Sequence, residues 1–362
     1  MKNLKETKIE TEKAILMCAS FDSQKEQESS VVELERLAET AGVKVVGKMF
    51  QRIKDIVPAT FMGQGKIQEL AQMVEDTGAD VVIFDDELSG SQTRNISDLV
   101  KVKVIDRSTL ILDIFAMRAT SNEGKMQVEL AQLKYRMPRL GSFGGGEGGR
   151  YGGGVGMRGP GETKLEVNRR VVKDNIAKLE KEIEKLDAQR KIRRKARIES
   201  GVKKVAIVGY TNAGKSTLFN CITKAGIYAD DKLFATLDTT TRSLYLDEGK
   251  QVVITDTVGF INKLPHEFIK AFASTLEESV MADVIVHVVD ISNPEYQKQM
   301  EVVDNVLINL GASNIPVIVA INKTDAVASL PARKDNEVFI SAKNNIGIDV
   351  LKGKIVQLLW NE

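Results

Sequence analysis

Residues 205–223 narrow the possible folds more than any other part of the chain. Val205, Ala206, Ile207 and Val208 form an apolar run of strand length, Gly209-Tyr210-Thr211-Asn212-Ala213-Gly214-Lys215-Ser216 follows, and Thr217 continues into a helical stretch ending at residue 223. That order of strand, loop and helix is the context the pattern G-x-x-x-x-G-K-[ST] requires. Its glycines let backbone N–H groups close around phosphate oxygens, Lys215 offers a cation to the β and γ phosphates, and the helix N-terminus adds partial positive charge. Ser216 offers a hydroxyl to magnesium.

The apolar runs at 243–246, 252–255, 284–289, 317–321 and 338–340, with helical stretches between most of them, continue a doubly wound α/β pattern. Asp256-Thr257-Val258-Gly259 closes the second of these runs, about 40 residues beyond the phosphate loop. A carboxylate at that strand end holds magnesium through water, and the Gly259 N–H reaches the γ-phosphate. Asn322-Lys323-Thr324-Asp325 directly follows the run at 317–321. Asp325 accepts from N1–H and N2–H₂ of guanine. Adenine presents an unprotonated N1 there and leaves both partners unsatisfied, so GTP and GDP are the expected nucleotides. Lys323 can lie along the base plane, and Ser341-Ala342-Lys343 can present the Ala342 N–H to guanine O6.

Phe234-Ala235-Thr236-Leu237-Asp238-Thr239-Thr240-Thr241-Arg242 lies between the phosphate loop and Asp256. An order–disorder switch needs a threonine that joins magnesium and the γ-phosphate. Thr236 is the first choice, although spacing alone leaves four threonines open. The expected catalytic residues are Lys215, Thr236 and Gly259; the expected magnesium ligands are Ser216 and Thr236. The nucleotide contacts are drawn from 209–217, 234–238, 256–259, 322–325 and 341–343. Phe260 stands where many small GTPases carry the glutamine that orients water, so hydrolysis needs help from a partner or an ion. Asn212 is a candidate ligand for potassium in that role.

Upstream, residues 1–119 alternate apolar runs (14–19, 44–50, 80–84, 102–105) with helical patterns (30–40, 66–76), which predicts a small α/β subdomain on a largely parallel sheet. Residues 120–202 differ. Met126, Leu130, Leu133 and Met137, then Val172, Ile176, Leu179, Ile183 and Leu186, follow heptad spacing on two helices. Between them, residues 141–161 hold 12 of the chain's 28 glycines, with Phe143, Arg150, Tyr151 and Arg158 among them. So much glycine sustains neither helix nor core, and an antiparallel helical hairpin with a glycine-rich loop at its tip follows. Residues 203–362 form the P-loop GTPase domain.

Lys+Arg 51 against Asp+Glu 50 leaves a net charge of +1, so any nucleic-acid surface must be local. The run from Arg190 to Arg197 is either a solvated helix end or an RNA-phosphate contact. Cys18 and Cys221 are too few for a disulfide framework, which suits a reducing compartment. His266 and His287 are scattered, so no transition-metal cluster is expected, and His287 in its apolar strand reads as a core residue. No secretory signal or membrane span is visible, and the chain reads as a cytoplasmic monomer.

Asp106-Arg107-Ser108-Thr109-Leu110-Ile111-Leu112-Asp113-Ile114-Phe115-Ala116, Glu123-Gly124-Lys125-Met126-Gln127-Val128-Glu129-Leu130-Ala131-Gln132-Leu133 and Gly159-Pro160-Gly161-Glu162-Thr163-Lys164-Leu165-Glu166 together resemble the HflX family of ribosome-associated GTPases. The segment 234–242 and Gly63-Gln64-Gly65-Lys66 resemble the same family. The resemblance implies a hairpin reaching toward the peptidyl transferase centre of the large ribosomal subunit and its rRNA, and hydrolysis stimulated by that subunit. It also implies splitting or rescue of stalled ribosomes under stress, and it favours Thr236 as the magnesium threonine. Thr239 stands where many members have proline, Asn168 where many have aspartate, and the C-terminal extension of some members is missing after Glu362. Two other readings stay open. One is a GTP-gated adaptor that docks a protein partner on the hairpin. The other is ATP hydrolysis or RNA remodelling by residues 1–119, where Gly63-Gln64-Gly65-Lys66 matches a phosphate loop only in part.

Overall fold

A computed structural model describes residues 11–140, 164–199, 201–223, 233–246, 250–265, 268 and 280–360. The glycine-rich segment 141–161, His266 and the side chains of the basic run after Arg190 lie outside the described residues. The chain forms two compact units, residues 1–114 with 132–176 and residues 115–131 with 177–362.

In the first unit, β1 (Lys13–Ser20), α1 (Gln24–Thr40), β2 (Lys44–Arg52), α2 (Gln64–Thr77), β3 (Val81–Phe84), α3 (Gly90–Val100), β4 (Lys103–Asp106) and α4 (Arg107–Arg118) follow in order. The strands pair in parallel as β2-β1-β3-β4. Apart from Lys13, β1 is buried throughout, as a central parallel strand with both faces covered must be. Ile15, Met17 and Ala19 of β1 and Val82 and Phe84 of β3 share one core with Ile67, Leu70 and Val74 of α2 and Ile96 and Val100 of α3. Sequence periodicity passed over α3 because its surface is polar. Its start was nevertheless written locally: Gln92 N–H donates to Ser89 Oγ at 3.2 Å while Ser89 N–H donates to Gln92 Oε1 at 2.9 Å, a capping box.

The carboxyl ends of β3 and β4 carry a buried polar cluster. Arg107 is 1% exposed; its Nη1 donates to Asp85 Oδ1 at 2.8 Å and its Nη2 pairs with Glu33. Ser30 Oγ donates to Asp85 Oδ2 at 2.6 Å. Asp106 accepts from Leu88 N–H at 3.1 Å, from Thr109 Oγ1 at 2.7 Å and from the Tyr135 hydroxyl. Burial, reinforced by the Asp106 charge, pushes the Tyr135 phenol far above its usual range and keeps it a donor. Although no Cys or His cluster was expected, folding brings ligand atoms of Cys18, Asp85 and Asp86 within 4.8 Å of one another. Arg107 and Ser30 already occupy the oxygens of Asp85.

α5 (Asn122–Arg136) runs into a single 3-10 turn, Met137–Arg139, and α6 (Lys164–Glu199) lies beyond the glycine-rich segment. Ile176 and Leu179 of the α6 heptad stripe are buried, and Val172, Ile183 and Leu186 half-buried. On α5 the expected stripe is displaced. Gln127, Val128, Ala131 and Tyr135 are buried with Leu130, whereas Met126, Leu133 and Met137 are only half-buried. Arg190 of α6 pairs with Glu123 of α5 at 2.5 Å, which sets the far end of α6 beside the start of α5, as in an antiparallel pair.

The second unit also contains β5 (Lys203–Gly209), α7 (Lys215–Thr223), β6 (Thr240–Tyr245), β7 (Gln251–Asp256), β8 (Val284–Asp290), α8 (Tyr296–Asn309), β9 (Val317–Asn322), β10 (Glu337–Phe339) and α9 (Ile348–Trp360). Its sheet order is β10-β9-β8-β5-β7-β6, parallel except for β6, which runs antiparallel to β7. The parallel strands therefore end on one edge, where ligands of such sheets bind. β6 begins earlier than its apolar residues indicate, because Thr240 pairs with Asp256 and Thr241 with Thr255. No helix among the described residues is long and apolar enough to cross a membrane.

Arg107→Ala should strand the Asp85 carboxylate in a dry interior and destabilise the first unit by about 3–5 kcal/mol, read as a lower urea midpoint. His287 gives a pH dependence. It is 2% exposed on β8, with Nδ1 3.6 Å from Asp304 Oδ1; burial first, and the Lys215 charge second, lower its pKa from 6.5 to about 4. The unfolded chain therefore takes up this proton before the folded one. The contribution is fully present above pH 6.5 and is lost on acidification toward pH 4, amounting to about 3 kcal/mol. His287→Gln should flatten that part of the stability profile in urea titrations across this range.

Candidate nucleotide-binding site

The phosphate loop bridges β5 and α7 along the ligand-binding edge of the sheet. Gly214 has φ +95°, and a Cβ there would lie 2.3 Å from Asn322 Nδ2, so the loop needs glycine on two counts. Lys215 is buried, its Nζ donating to Tyr210 O at 2.8 Å. Burial lowers its pKa to about 8, against the opposing pull of Asp256. A Cβ on Gly259 would lie 2.8 Å from Lys215 Nζ and 2.9 Å from Thr211 Cα, so the strand-end turn is pressed against the loop. Phe260 fastens the two together: its N–H donates to Gly209 O at 3.1 Å and its C=O accepts from Thr211 N–H at 2.7 Å. Its ring is buried and offers nothing that orients water.

Among the four candidate threonines, Thr236 brings its hydroxyl to 2.8 Å from Ser216 Oγ, and Ser216 Oγ donates to Asp256 Oδ2 at 2.8 Å. Asp256 is fully buried, and its Oδ1 has no hydrogen-bond partner among the described residues. Burial, the largest influence, raises its pKa despite Lys215 and the hydroxyls of Ser216 and Thr236. Two hydroxyls converging beside a buried carboxylate with an unsatisfied oxygen form an all-oxygen donor set, which suits a hard divalent cation such as magnesium. Thr257 is turned inward, Oγ1 donating to Ile207 O at 2.7 Å. Phe234 has φ +54°, and its N–H donates to Thr211 Oγ1 at 3.0 Å. Asn212 has φ +59° within the loop.

At the end of β9, Asn322 is buried. Its Nδ2 donates to Ala213 O at 2.8 Å, and its Oδ1 accepts from Ala342 N–H at 3.0 Å. The Ala342 N–H, expected at guanine O6, is thus directed to Asn322. Ser341 Oγ donates to Asp325 Oδ1 at 2.6 Å, and this bond holds the Asp325 carboxyl below its usual range. Thr324 Oγ1 donates to Ile340 O at 2.9 Å. Lys323 has φ +63° and pairs with Asp290 at 2.7 Å. Sequence reasoning missed Asp290, whose only signal was a carboxylate at a strand end.

Asp238 was expected among the nucleotide contacts. Its carboxylate instead accepts from Thr120 and Ser121, just before α5. In the first unit, Gly63 precedes α2, and Lys66 pairs with Glu69 at 2.6 Å.

Family models described as GTP-binding GTPase N-terminal, GTP-binding GTPase Middle Region and 50S ribosome-binding GTPase match residues 28–116, 118–197 and 204–323. A GTPase HflX of Caldanaerobacter subterraneus subsp. tengcongensis is 49% identical over 99% of this chain and 83% of its own length. GTPase HflX of Escherichia coli (strain K12) is 42% identical over 97% and 84%. Among solved structures, a GTP-binding protein of Sulfolobus solfataricus in complex with GDP is similar at TM-score 0.50 and 25% identity, over 96% of this chain and 98% of that one.

Asn322→Ala would leave Ala213 O and the Ala342 N–H without their shared partner. The expected loss is about 1–3 kcal/mol for each buried group, measurable by urea unfolding without nucleotide.

Proposed function

The chain belongs to the HflX family of GTPases, and from that premise we propose that it binds the large ribosomal subunit and couples GTP binding and hydrolysis to splitting or rescue of stalled ribosomes under stress. The observation that carries the enzymatic half is the convergence of Thr236 and Ser216 hydroxyls beside buried Asp256. The ribosomal half is supported by the 50S ribosome-binding description of the model matching residues 204–323.

In this reading residues 209–217 wrap the phosphates, with Lys215 countering their charge. Ser216 and Thr236 hold magnesium, with Asp256 behind them. When bound, that ion neutralises charge on the β- and γ-phosphate oxygens. The Gly259 N–H meets the γ-phosphate. Asp325 reads guanine N1–H and N2–H₂, Lys323 flanks the base plane, and 341–343 closes the base loop. The buried Phe260 ring leaves placement of the attacking water to the ribosome, with potassium at Asn212 as an auxiliary. GTP shifts the switch equilibrium only as far as it binds the two states unequally. Residues 1–119 act as the α/β subdomain, 120–202 as the hairpin that enters rRNA and 203–362 as the motor.

Co-sedimentation with separated ribosomal subunits tests the proposal, using GTP, GDP or a non-hydrolysable GTP analogue at two salt concentrations. Pelleting with the large subunit should require the triphosphate form and weaken steeply as salt rises. Loss of nucleotide dependence would overturn the ribosomal reading. Asp325→Asn should reduce the preference for GTP over ATP by about 100-fold or more, measured by competition binding.

A further inference from the structure

The site as described does not explain Asp238. It lies two residues beyond Thr236, and its carboxylate is turned to the start of α5. Oδ2 accepts from Thr120 N–H at 2.9 Å, Thr120 Oγ1 at 2.6 Å and Ser121 N–H at 2.8 Å; Oδ1 accepts from Ser121 Oγ at 2.5 Å. Four donors on one carboxylate are charge-assisted bonds, stronger than neutral ones, and the helix N-terminus behind them favours the negative charge. These bonds outweigh desolvation and hold the Asp238 carboxyl below its usual range.

The fit leaves no slack. Ser121 Oγ also accepts from Gly124 N–H at 2.9 Å, capping α5, and a Cβ on Gly124 would lie 2.3 Å from Asp238 Oδ1. On the other side of Thr236, the Phe234 ring meets Phe115 edge to face, centroids 4.7 Å apart and planes at 87°. Thr236 is therefore bracketed by two attachments, at 234 and 238, to one short stretch of chain, 115–124. Only three residues, Ala235, Thr236 and Leu237, lie between the two anchors, so Thr236 has little freedom to move while both hold.

We propose that Asp238 is a positioning residue, clamping the switch segment onto Thr120 and Ser121 so that Thr236 is presented to the metal and γ-phosphate only while the clamp is closed. This rests on the reading of Thr236 given above. Coupling of this kind is reciprocal: whatever closes the clamp strengthens GTP binding, and GTP in turn fixes the start of α5. GDP, without a γ-phosphate, gains nothing from it.

The test compares affinities of the full chain for fluorescent GDP and a non-hydrolysable GTP analogue, with amide exchange followed across 234–242. Thr120→Val/Ser121→Ala should bind the GTP analogue about tenfold more weakly and GDP within about twofold of wild type, with faster exchange in the analogue-bound state. Thr120→Ser/Ser121→Thr, which keeps both hydroxyls, should behave as wild type. Gly124→Ala, which drives a methyl group into the clamp while favouring helix, should reproduce the defect, an outcome that weakening of α5 cannot produce. The proposal is overturned if the Val/Ala and Gly124→Ala variants keep wild-type analogue affinity, or if they lose GDP affinity equally. Thr236→Ala separates the layers. Should it leave analogue affinity unchanged, the assignment of Thr236 fails; should it weaken the analogue while the clamp variants do not, only the clamp fails.

Discussion

The Asn322 side chain donates to Ala213 in the phosphate loop and accepts from Ala342 in the base loop, so a single planar amide sets the distance between the two halves of the site. It can do this because β9 is an inner strand between β8 and β10, which fixes its end. A donor and an acceptor fixed in one plane reach two backbone groups that no neighbouring strand could pair. The close approach then explains Gly214, since any side chain there would collide with the same amide. The phosphate loop and the loop at 341–343 share one rigid reference, the sheet edge.

The switch segment is held differently. Its far end is sheet, Thr240 and Thr241 pairing with β7, while its near end rests on Thr211 and Phe115 and its middle on Thr120 and Ser121. Hydrogen bonds to partly exposed hydroxyls open more readily than a buried ladder. The sheet ladder at 240–241 is thus the firmer hold, and the hydroxyl bonds at Asp238, between that ladder and Thr236, are the more easily opened.

Chemistry that is local in the chain was legible in the sequence. The phosphate loop, the carboxylate that ends β7 and the Asn322-Lys323-Thr324-Asp325 segment each combine a strand end with residue types few other purposes require. Both sheets followed from the spacing of apolar runs, and the α6 stripe from its heptads. What escaped was set by partners distant in sequence. Asp238 looked like a nucleotide contact because it sits beside Thr236, but 117 residues separate it from Ser121. The stripe on α5 departs from its heptads because shape outranks apolar content there: Gly124 is small where Asp238 comes close, and Tyr135 is buried for the sake of Asp106. α3 was overlooked although its capping box lay in plain view.

The electrostatics give the site a reason to bind what it binds. Burial pulls Lys215 down to about 8 and pushes Asp256 up, so the fold holds both charges at some expense. They partly compensate one another, but Lys215 also leans on the Tyr210 carbonyl, and Oδ1 of Asp256 has no hydrogen-bond partner among the described residues. A triphosphate with a divalent cation would supply the complementary charge to each of them at once. Ligand binding therefore relieves a strain that neighbouring side chains cannot, and by mass action it stabilises the folded unit most where the chain alone is least satisfied. The hydroxyls of Ser216 and Thr236 meet beside Asp256, and Thr236 is the one carried by a segment held through Phe234 and Asp238.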